Sequence, residues 1–315
     1  MGLCRHSPNF ARSWLQGDKF FRGALDLEGH RHVGGQSRPA RQAFENGQGV
    51  GLTDIMDYKI FCENLARQAG ALMKANFALG MKKEWKGDAS PVTTTDLTIN
   101  QMVIDAVREN FPGHSVLAEE GSMMIEGSEY TWVCDPVDGT RPFSHGVPVF
   151  VFALALTHHG QVECGIIYDP MMDRLWWAQK GKGAFLNEYK ISVSSARAFE
   201  KTVVVLDMPD KLPYYFPTLR YALRLKKAGS LTLGSVLYSG ALVACGEFAA
   251  VMFTGTSAHD AAALKIIIEE AGGKMTDIFG HDQQYDQPTQ GFLASNGYLH
   301  EEFLALVKAN IQPRP

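Results

Sequence analysis

Two aspartates follow an apolar run in the segment WVCDPVDGTRPFSHG, residues 132–146. Asp135 and Asp138 stand directly after that run, and Gly139 and Thr140 follow them. A turn is one explanation, because Asp, Pro and Gly each favour turns for backbone reasons. A site in which carboxylates hold a cation and backbone amides hold a phosphate is another. Both explanations stay open for this motif taken alone.

Two further acidic places have a similar setting. Glu119 and Glu120 follow the short apolar run SVLA, and Asp260 precedes a strongly apolar segment that predicts a helix. Taken singly, Glu119 and Glu120 could belong to a solvated loop, and Asp260 could stabilise the dipole of the helix that it precedes. Ligand sites in α/β proteins, however, collect where strands end and helices begin. Several hard oxygen ligands without paired His or Cys suit Mg²⁺ rather than zinc.

A cation beside a phosphate cradle predicts phosphoryl chemistry, which also needs a group that activates water. The segment PVTTTD offers Thr95 and Asp96 for this purpose. Metal ions activate water and stabilise the leaving oxygen, and the transferred phosphoryl group needs positioning and positive charge.

The elements that must position these residues follow helical and strand patterns. Apolar residues recur at helical spacing over residues 55–79 and 96–110. Short strand patterns follow, at 115–118, 130–134, 149–157, 162–169 and 174–180. Helix and strand patterns alternate after residue 200, which is typical of an α/β unit.

The same patterns predict the organisation of the chain. We expect an α+β metal-binding region over residues 53–190 and an α/β region over 191–315 that completes the site. Residues 1–52 are rich in Gly, Arg and Gln without a sustained period, and we expect a disordered extension.

Composition restricts the class of protein. The chain has 315 residues, 45% of them hydrophobic, and a net charge of -4. These values suit a folded globular protein, and the absence of charge runs argues against nucleic acid or a membrane surface as partner. Five cysteines without a C-x-x-C motif indicate reduced thiols in a cytoplasmic protein.

Three motifs in order resemble the inositol monophosphatase family, which belongs to the Mg²⁺-dependent, lithium-sensitive phosphatases. They are SPVTTTD with AEE, then WVCDPVDGTRPFSHG, then HDAAALKIIIEEAGG, and the resemblance covers about residues 55–310. It implies the layered αβαβα sandwich of the inositol monophosphatase and fructose-1,6-bisphosphatase type. It also implies a homodimer that hydrolyses a small soluble phosphate ester.

The resemblance further implies two or three Mg²⁺ ions in each site. Glu119, Asp135 and the backbone carbonyl of Val137 correspond to the first metal site. Asp135, Asp138 and Asp260 correspond to the second.

The remaining roles concern phosphate and water. By resemblance, the amides of Gly139 and Thr140 bind the phosphate. Asp96 and the Thr140 hydroxyl position and deprotonate the attacking water, with Glu119 nearby and Glu120 as a supporting neighbour.

The chain departs from the family at positions that bear on the substrate. Arg141 and Pro142 replace the usual residues after the DGT motif, and DGTR variants resemble the histidinol-phosphate phosphatase branch. Phe253 stands where many inositol enzymes carry a glutamate that binds substrate hydroxyls, and His259 replaces a tryptophan before Asp260. Phe cannot accept a hydrogen bond, so we expect inositol 1-phosphate not to be the best substrate. The alternative, that Phe253 is a core residue of the strand FAAVMF and that a neighbour has the role of the glutamate, stays open.

Gly234 and Ser235 match the family's substrate-hydroxyl loop and are candidates for the leaving-group pocket, with Arg141 and Phe253. An inositol-phosphate-phosphatase-like activity is the first expectation. Histidinol-phosphate phosphatase and nucleotide 3′-phosphatase are alternatives, and a non-catalytic member that binds a phosphorylated ligand is a further one.

Overall fold

The computed structural model describes residues 52–88, 90–209 and 211–314, with side chains from residue 58 onward. The predicted extension, residues 1–52, lies outside the described residues except for Leu52, where the first helix begins. The helices are α1 Leu52–Asn76, α2 Thr94–Asn110, α3 Thr140–Ser144, α4 Leu219–Leu225, α5 Val236–Ala244, α6 Ala262–Glu270 and α7 His300–Asn310.

Most strands belong to two sheets. The first sheet contains β3 Ser115–Ala118, β4 Tyr130–Asp138, β5 Val151–His158, β6 Gln161–Asp169, β7 Arg174–Gln179, β8 Gly183–Leu186 and β9 Tyr189–Lys190, in that order. The second has the order β12 Gly229–Leu231, β10 Val203–Asp207, β13 Ala250–Phe253, β15 Phe292–Ser295 and β14 Lys274–Thr276. Two short pairs complete the described strands, β1 Glu84–Trp85 with β2 Pro91–Val92 and β11 Tyr214–Tyr215 with β16 Gln312–Pro313.

Alternating side chains of the first sheet enter two different cores. Trp132 and Cys134 of β4 pack in a core with α1 and α2, whereas Val133 packs with α5 and α6. This division follows from the two-residue period of a strand that is buried on both faces.

The second sheet is also covered on both faces. Val205 of β10 and Val251 of β13 share the core of α5 and α6, whereas Val204 and Met252 pack with α4 and α7. The layers therefore run from α1 and α2 through the first sheet, α5 and α6, and the second sheet to α4 and α7. The predicted αβαβα sandwich is confirmed.

Parallel pairing brings the carboxyl ends of several strands to the same edges of the sheets. β3 runs parallel to β4, and β10 runs parallel to both β12 and β13. Ligand sites of α/β proteins form at such edges. Glu119 directly follows β3, and the segments after β12 and β13 carry Ser235 and Asp260.

The predicted helices and strands are present with small shifts of their ends. The helix predicted over 55–79 spans Leu52–Asn76, and the strand predicted over 130–134 continues to Asp138. α7, β14 and several short strands, among them β8 and β9, were not predicted. None of the described helices is long and apolar enough to cross a membrane.

Candidate active site

A bulge in β4 turns both aspartates of the DPVD segment toward one place. In a regular strand, residues three apart point to opposite faces. The pairing of β4 with β5 shifts register between Asp135 and Asp138, where Pro136 has no N–H to donate to the ladder. The Val137 N–H instead donates to Asp135 Oδ1 at 3.1 Å. Bulges of this kind re-aim side chains beside functional sites.

Two other segments bring acids to the same place. Ala118 pairs with Cys134 across the parallel strands, so Glu119 arrives beside Asp135. Asp260 lies in the turn that precedes α6. Ligand oxygens of Asp135, Asp138 and Asp260 all lie within 4.8 Å of one another. These residues are the ones that the resemblance assigned to the second metal site.

Asp96 and Thr140 lie in contact beside the acids. Asp96 closes a capping box at the start of α2, because Oδ2 accepts from the Thr93 N–H at 2.9 Å while the Thr93 hydroxyl caps the helix. Its other oxygen, Oδ1, lies 3.0 Å from Thr140 Oγ1. Thr140 Oγ1 is also 2.9 Å from the Val137 carbonyl oxygen. Asp96 is therefore fixed through one oxygen and faces the site with the other.

Gly139 adopts a conformation that only glycine tolerates here. Its φ is 91°, and a Cβ atom would lie 2.7 Å from the Val149 carbonyl oxygen. This turn ends β4 and begins α3, so the N–H groups that follow Asp138 belong to a helix start, where amides lack partners within the helix.

The loop before α5 holds Asp138. The Ser235 hydroxyl caps α5 and donates to Asp138 Oδ2. The N–H groups of Val236 and Leu237 donate to the same carboxylate at 3.2 and 2.9 Å. Gly234, with φ of 77°, lies against Pro142. The predicted leaving-group loop thus contacts the acidic cluster through Ser235.

Burial dominates the electrostatics of the site. It raises the pKa of Asp138 to about 7, although hydrogen bonds from Ser235 and Leu237 oppose the shift. It raises the pKa of Asp96 to about 6 against the hydrogen bonds from Thr93. Burial followed by repulsion from Glu119 raises the pKa of Asp135.

Asp260 completes this group, since burial and then repulsion from Asp138 raise the pKa of its carboxyl. Clustered buried carboxylates of this kind are unfavourable without positive charge. Together with their all-oxygen donor set, this fits a hard divalent cation such as Mg²⁺.

Sequence reasoning missed two residues that shape the loop of Glu119 and Glu120. Lys86 Nζ donates to Glu119 Oε1 at 2.8 Å and also to Glu120. Burial lowers the Lys86 pKa, but the two glutamates more than offset this and raise it overall. Asn100 of α2 accepts from the Glu120 N–H at 3.1 Å and donates to the Gly121 carbonyl at 2.9 Å. Neither residue lies in a motif with an obvious chemical role, and no sequence signal singled them out.

The remaining predicted substrate residues differ in exposure. Arg141 is exposed, and its charge opposes the burial that raises the pKa of Asp207, an acid at the end of β10. The Phe253 ring is 7% exposed and packs on Phe292 with ring centroids 5.5 Å apart. Its contact with a leaving group remains a prediction.

Comparison with known proteins identifies the family. A model of the inositol monophosphatase family matches residues 57–312. The chain belongs to the inositol monophosphatase family. An inositol-1-monophosphatase of Mesorhizobium japonicum is 31% identical over 255 residues, which cover 79% of this chain and 95% of that protein. A fructose-1,6-bisphosphatase/inositol-1-monophosphatase of Thermotoga maritima is 31% identical over 260 residues, covering 82% and 98%.

Solved structures give the same result for the fold. An IMPase/NADP phosphatase complexed with Mg²⁺ and phosphate has a TM-score of 0.72 and 26% identity, covering 81% of this chain and 96% of that one. Relatives of this family that match the chain are phosphatases, so the predicted family and enzyme class are confirmed.

Proposed function

We propose that this member of the inositol monophosphatase family is a Mg²⁺-dependent phosphomonoesterase that acts on a small soluble phosphate ester. One observation carries the proposal: ligand oxygens of Asp135, Asp138 and Asp260 converge within 4.8 Å, beside the Asp96–Thr140 contact. We further propose that the enzyme is lithium-sensitive and homodimeric, as the resemblance implies, and cytoplasmic, as its cysteine content indicates.

The ligands of the proposed cations are all oxygens. Glu119, Asp135 and the Val137 carbonyl would hold one Mg²⁺, and Asp135, Asp138 and Asp260 would hold a second. The resemblance allows a third ion in each site. When bound, the cations lower the pKa of water and neutralise negative charge on the phosphoryl group.

The chain itself positions the reactants. The Thr140 hydroxyl donates its hydrogen to Asp96. The lone pairs of the Thr140 oxygen are therefore free to accept a hydrogen bond from the attacking water. As the water attacks, its proton passes to the Thr140 oxygen while Thr140 gives its own proton to Asp96, which is the base of the step. The amides of Gly139 and Thr140 hold the phosphate at the start of α3.

The leaving group enters from the side of Gly234, Ser235 and Arg141. Phe253 offers no acceptor at its position, so we expect inositol 1-phosphate not to be the best substrate. Its burial in the core beside Phe292 favours the alternative that a neighbouring residue contacts the leaving group, and the substrate panel distinguishes the two. Inositol 1-phosphate, histidinol phosphate, a nucleoside 3′-phosphate and fructose 1,6-bisphosphate form the panel that tests this expectation.

The proposal is tested by phosphate release from that panel in EDTA and after addition of Mg²⁺. We expect activity to disappear in chelator and return with Mg²⁺, and millimolar-range LiCl to inhibit it. Full activity in excess EDTA would contradict the metal mechanism. Failure to hydrolyse any ester with Mg²⁺ would instead favour a non-catalytic member that binds a phosphorylated ligand. A tenfold or greater preference for inositol 1-phosphate would contradict the expectation drawn from Phe253.

A further inference from the structure

A second group of potential metal ligands contains a nitrogen donor. Ligand atoms of Glu119, Asp135 and His259 all lie within 4.8 Å of one another. The group shares Asp135 with the cluster of three aspartates described above. His259 has no part in the proposed hydrolysis, and its presence changes the donor set of this half of the site.

The fold fixes His259 at the edge of the cluster. It immediately precedes Asp260 in the turn before α6, and its side chain is 16% exposed. The Nε2 atom lies 3.8 Å from Asp260 Oδ2, which is longer than a normal hydrogen bond. Among residues 52–88, 90–209 and 211–314, no hydrogen bond to this ring is found. The imidazole is thus held near the carboxylates without a partner that would occupy its lone pair.

The two groups of potential ligands differ in their donor atoms: Asp135, Asp138 and Asp260 offer only oxygens, whereas Glu119, Asp135 and His259 include a nitrogen. Three carboxylates suit Mg²⁺, Ca²⁺ or Mn²⁺, whereas an imidazole beside carboxylates suits zinc and other first-row transition ions. We propose that His259 joins Glu119 and Asp135, the carboxylates of the first metal site proposed above, so that this site binds a divalent transition ion through mixed nitrogen and oxygen donors more tightly than it binds Mg²⁺. This inference refines the cofactor of the proposed phosphatase, but it concerns binding and is measurable without turnover.

The experiment measures Zn²⁺ and Mg²⁺ binding to the full chain by calorimetry, and Co²⁺ binding by visible absorption. A surface group of Glu129, His158 and His159 also has metal-ligand spacing. All measurements therefore use a background in which His158→Gln and His159→Gln remove that competing group. His259→Gln is the test variant, and His281→Gln, whose side chain is 75% exposed, is the matched control.

We expect His259→Gln to weaken Zn²⁺ binding at least about tenfold, since even outer-shell partners of a metal ligand contribute about 10- to 100-fold. The Co²⁺ spectrum should change, while the Mg²⁺ affinity should stay within about twofold. His281→Gln should match its background. The same Zn²⁺ affinity and Co²⁺ spectrum with and without His259 would overturn the proposal.

A misfolded variant is recognised by circular dichroism, and His259→Asn then provides a second test. Equal loss of Zn²⁺ and Mg²⁺ affinity in a folded variant would also overturn the proposal, because it would show a general effect on the site. Absence of phosphate release from the unmodified chain with every metal tested would contradict the proposed function but not this binding site.

Discussion

The Asp138 carboxylate accepts hydrogen bonds from one hydroxyl and two amides of the segment that begins α5. Replacement of Asp138 by Asn keeps the shape of the side chain but removes its charge. We expect at least an about 10²-fold loss of kcat, comparable to the loss of a preorganised electrostatic group in other enzymes. Steady-state phosphate release with saturating Mg²⁺ measures the effect.

Asp105→Asn is the matched control for that variant. Asp105 lies on the exposed surface of α2 and pairs with Arg108 at 3.0 Å. Its replacement should leave kcat unchanged, since a surface ion pair contributes little. A near-normal rate for Asp138→Asn would mean that the DPVDGT segment is only a turn.

Sequence motifs predicted the site residues that lie within the motifs themselves. Asp135, Asp138 and Asp260 were predicted as one group, and the structure brings them together. The partners of Lys86 were not predictable in the same way, because its contact with Glu119 spans 33 residues and depends on how β1 and β3 fold. His259 appeared in the sequence only as a departure from a family pattern.

At the scale of elements, the start of α5 links stability to the site. Ser235 is buried, caps α5 and contacts Asp138, whereas the Ser239 hydroxyl on the same helix donates to the Ser235 carbonyl at 2.7 Å. Ser235→Ala should lower the free energy of unfolding by about 1–2 kcal/mol, since it removes an N-cap and a buried hydrogen bond. It should also lower kcat, because Asp138 loses one of its donors.

Ser239→Ala separates the two effects. It should cost about 0.5–1.5 kcal/mol of stability through one lost hydrogen bond and leave kcat near normal. Chemical denaturation and phosphate release on both variants check this. Equal loss of kcat in the two variants would show that the effect of Ser235 comes from α5 as a whole and not from its contact with Asp138.

The sequence predicted the positions of helices and strands better than it predicted irregular strand pairing or the order of the layers. Apolar periodicity indicated α2 to within two residues of its observed start. The bulge in β4 was not predicted, because periodicity describes regular strands and the shift depends on pairing with β5. Layer order came from family resemblance, since the pattern of one element does not specify its neighbours.

For the molecule as a whole, the acidic site opposes folding when no cation is bound. Burial raises the pKa of Asp96 to about 6 and of Asp138 to about 7. A raised pKa in the folded state means that the folded chain binds the proton more tightly than the unfolded chain. The contribution to stability is therefore complete below about pH 4, the usual value for an unfolded aspartate, and is lost as pH rises through about 6 to 7.

Two buried histidines that lie outside the acidic cluster have the opposite dependence. Burial lowers the pKa of His114 and of His300 to about 4, so the stability associated with their neutral forms is present above about pH 6.5 and is lost as pH falls toward 4. His114 accepts a hydrogen bond from the Trp132 indole N–H, and His300 lies within hydrogen-bond distance of Thr276 and Ser295. Because these partners lie outside the acidic cluster, the histidine effects should cancel when melting temperatures with and without Mg²⁺ are compared at one pH.

That difference in melting temperature isolates the acidic site. Mg²⁺ bound only to the folded chain stabilises it by about 2.7 kcal/mol at 100 times its dissociation constant. Protons compete for the same carboxylates, so we expect a fixed Mg²⁺ concentration to raise the Tm more at pH 8 than at pH 5.5, relative to EDTA. Thermal unfolding under the four conditions measures this, and Asp138→Asn should reduce the increase at pH 8. Equal Tm increases at both pH values would show that the raised pKa values of Asp96 and Asp138 are not linked to cation binding.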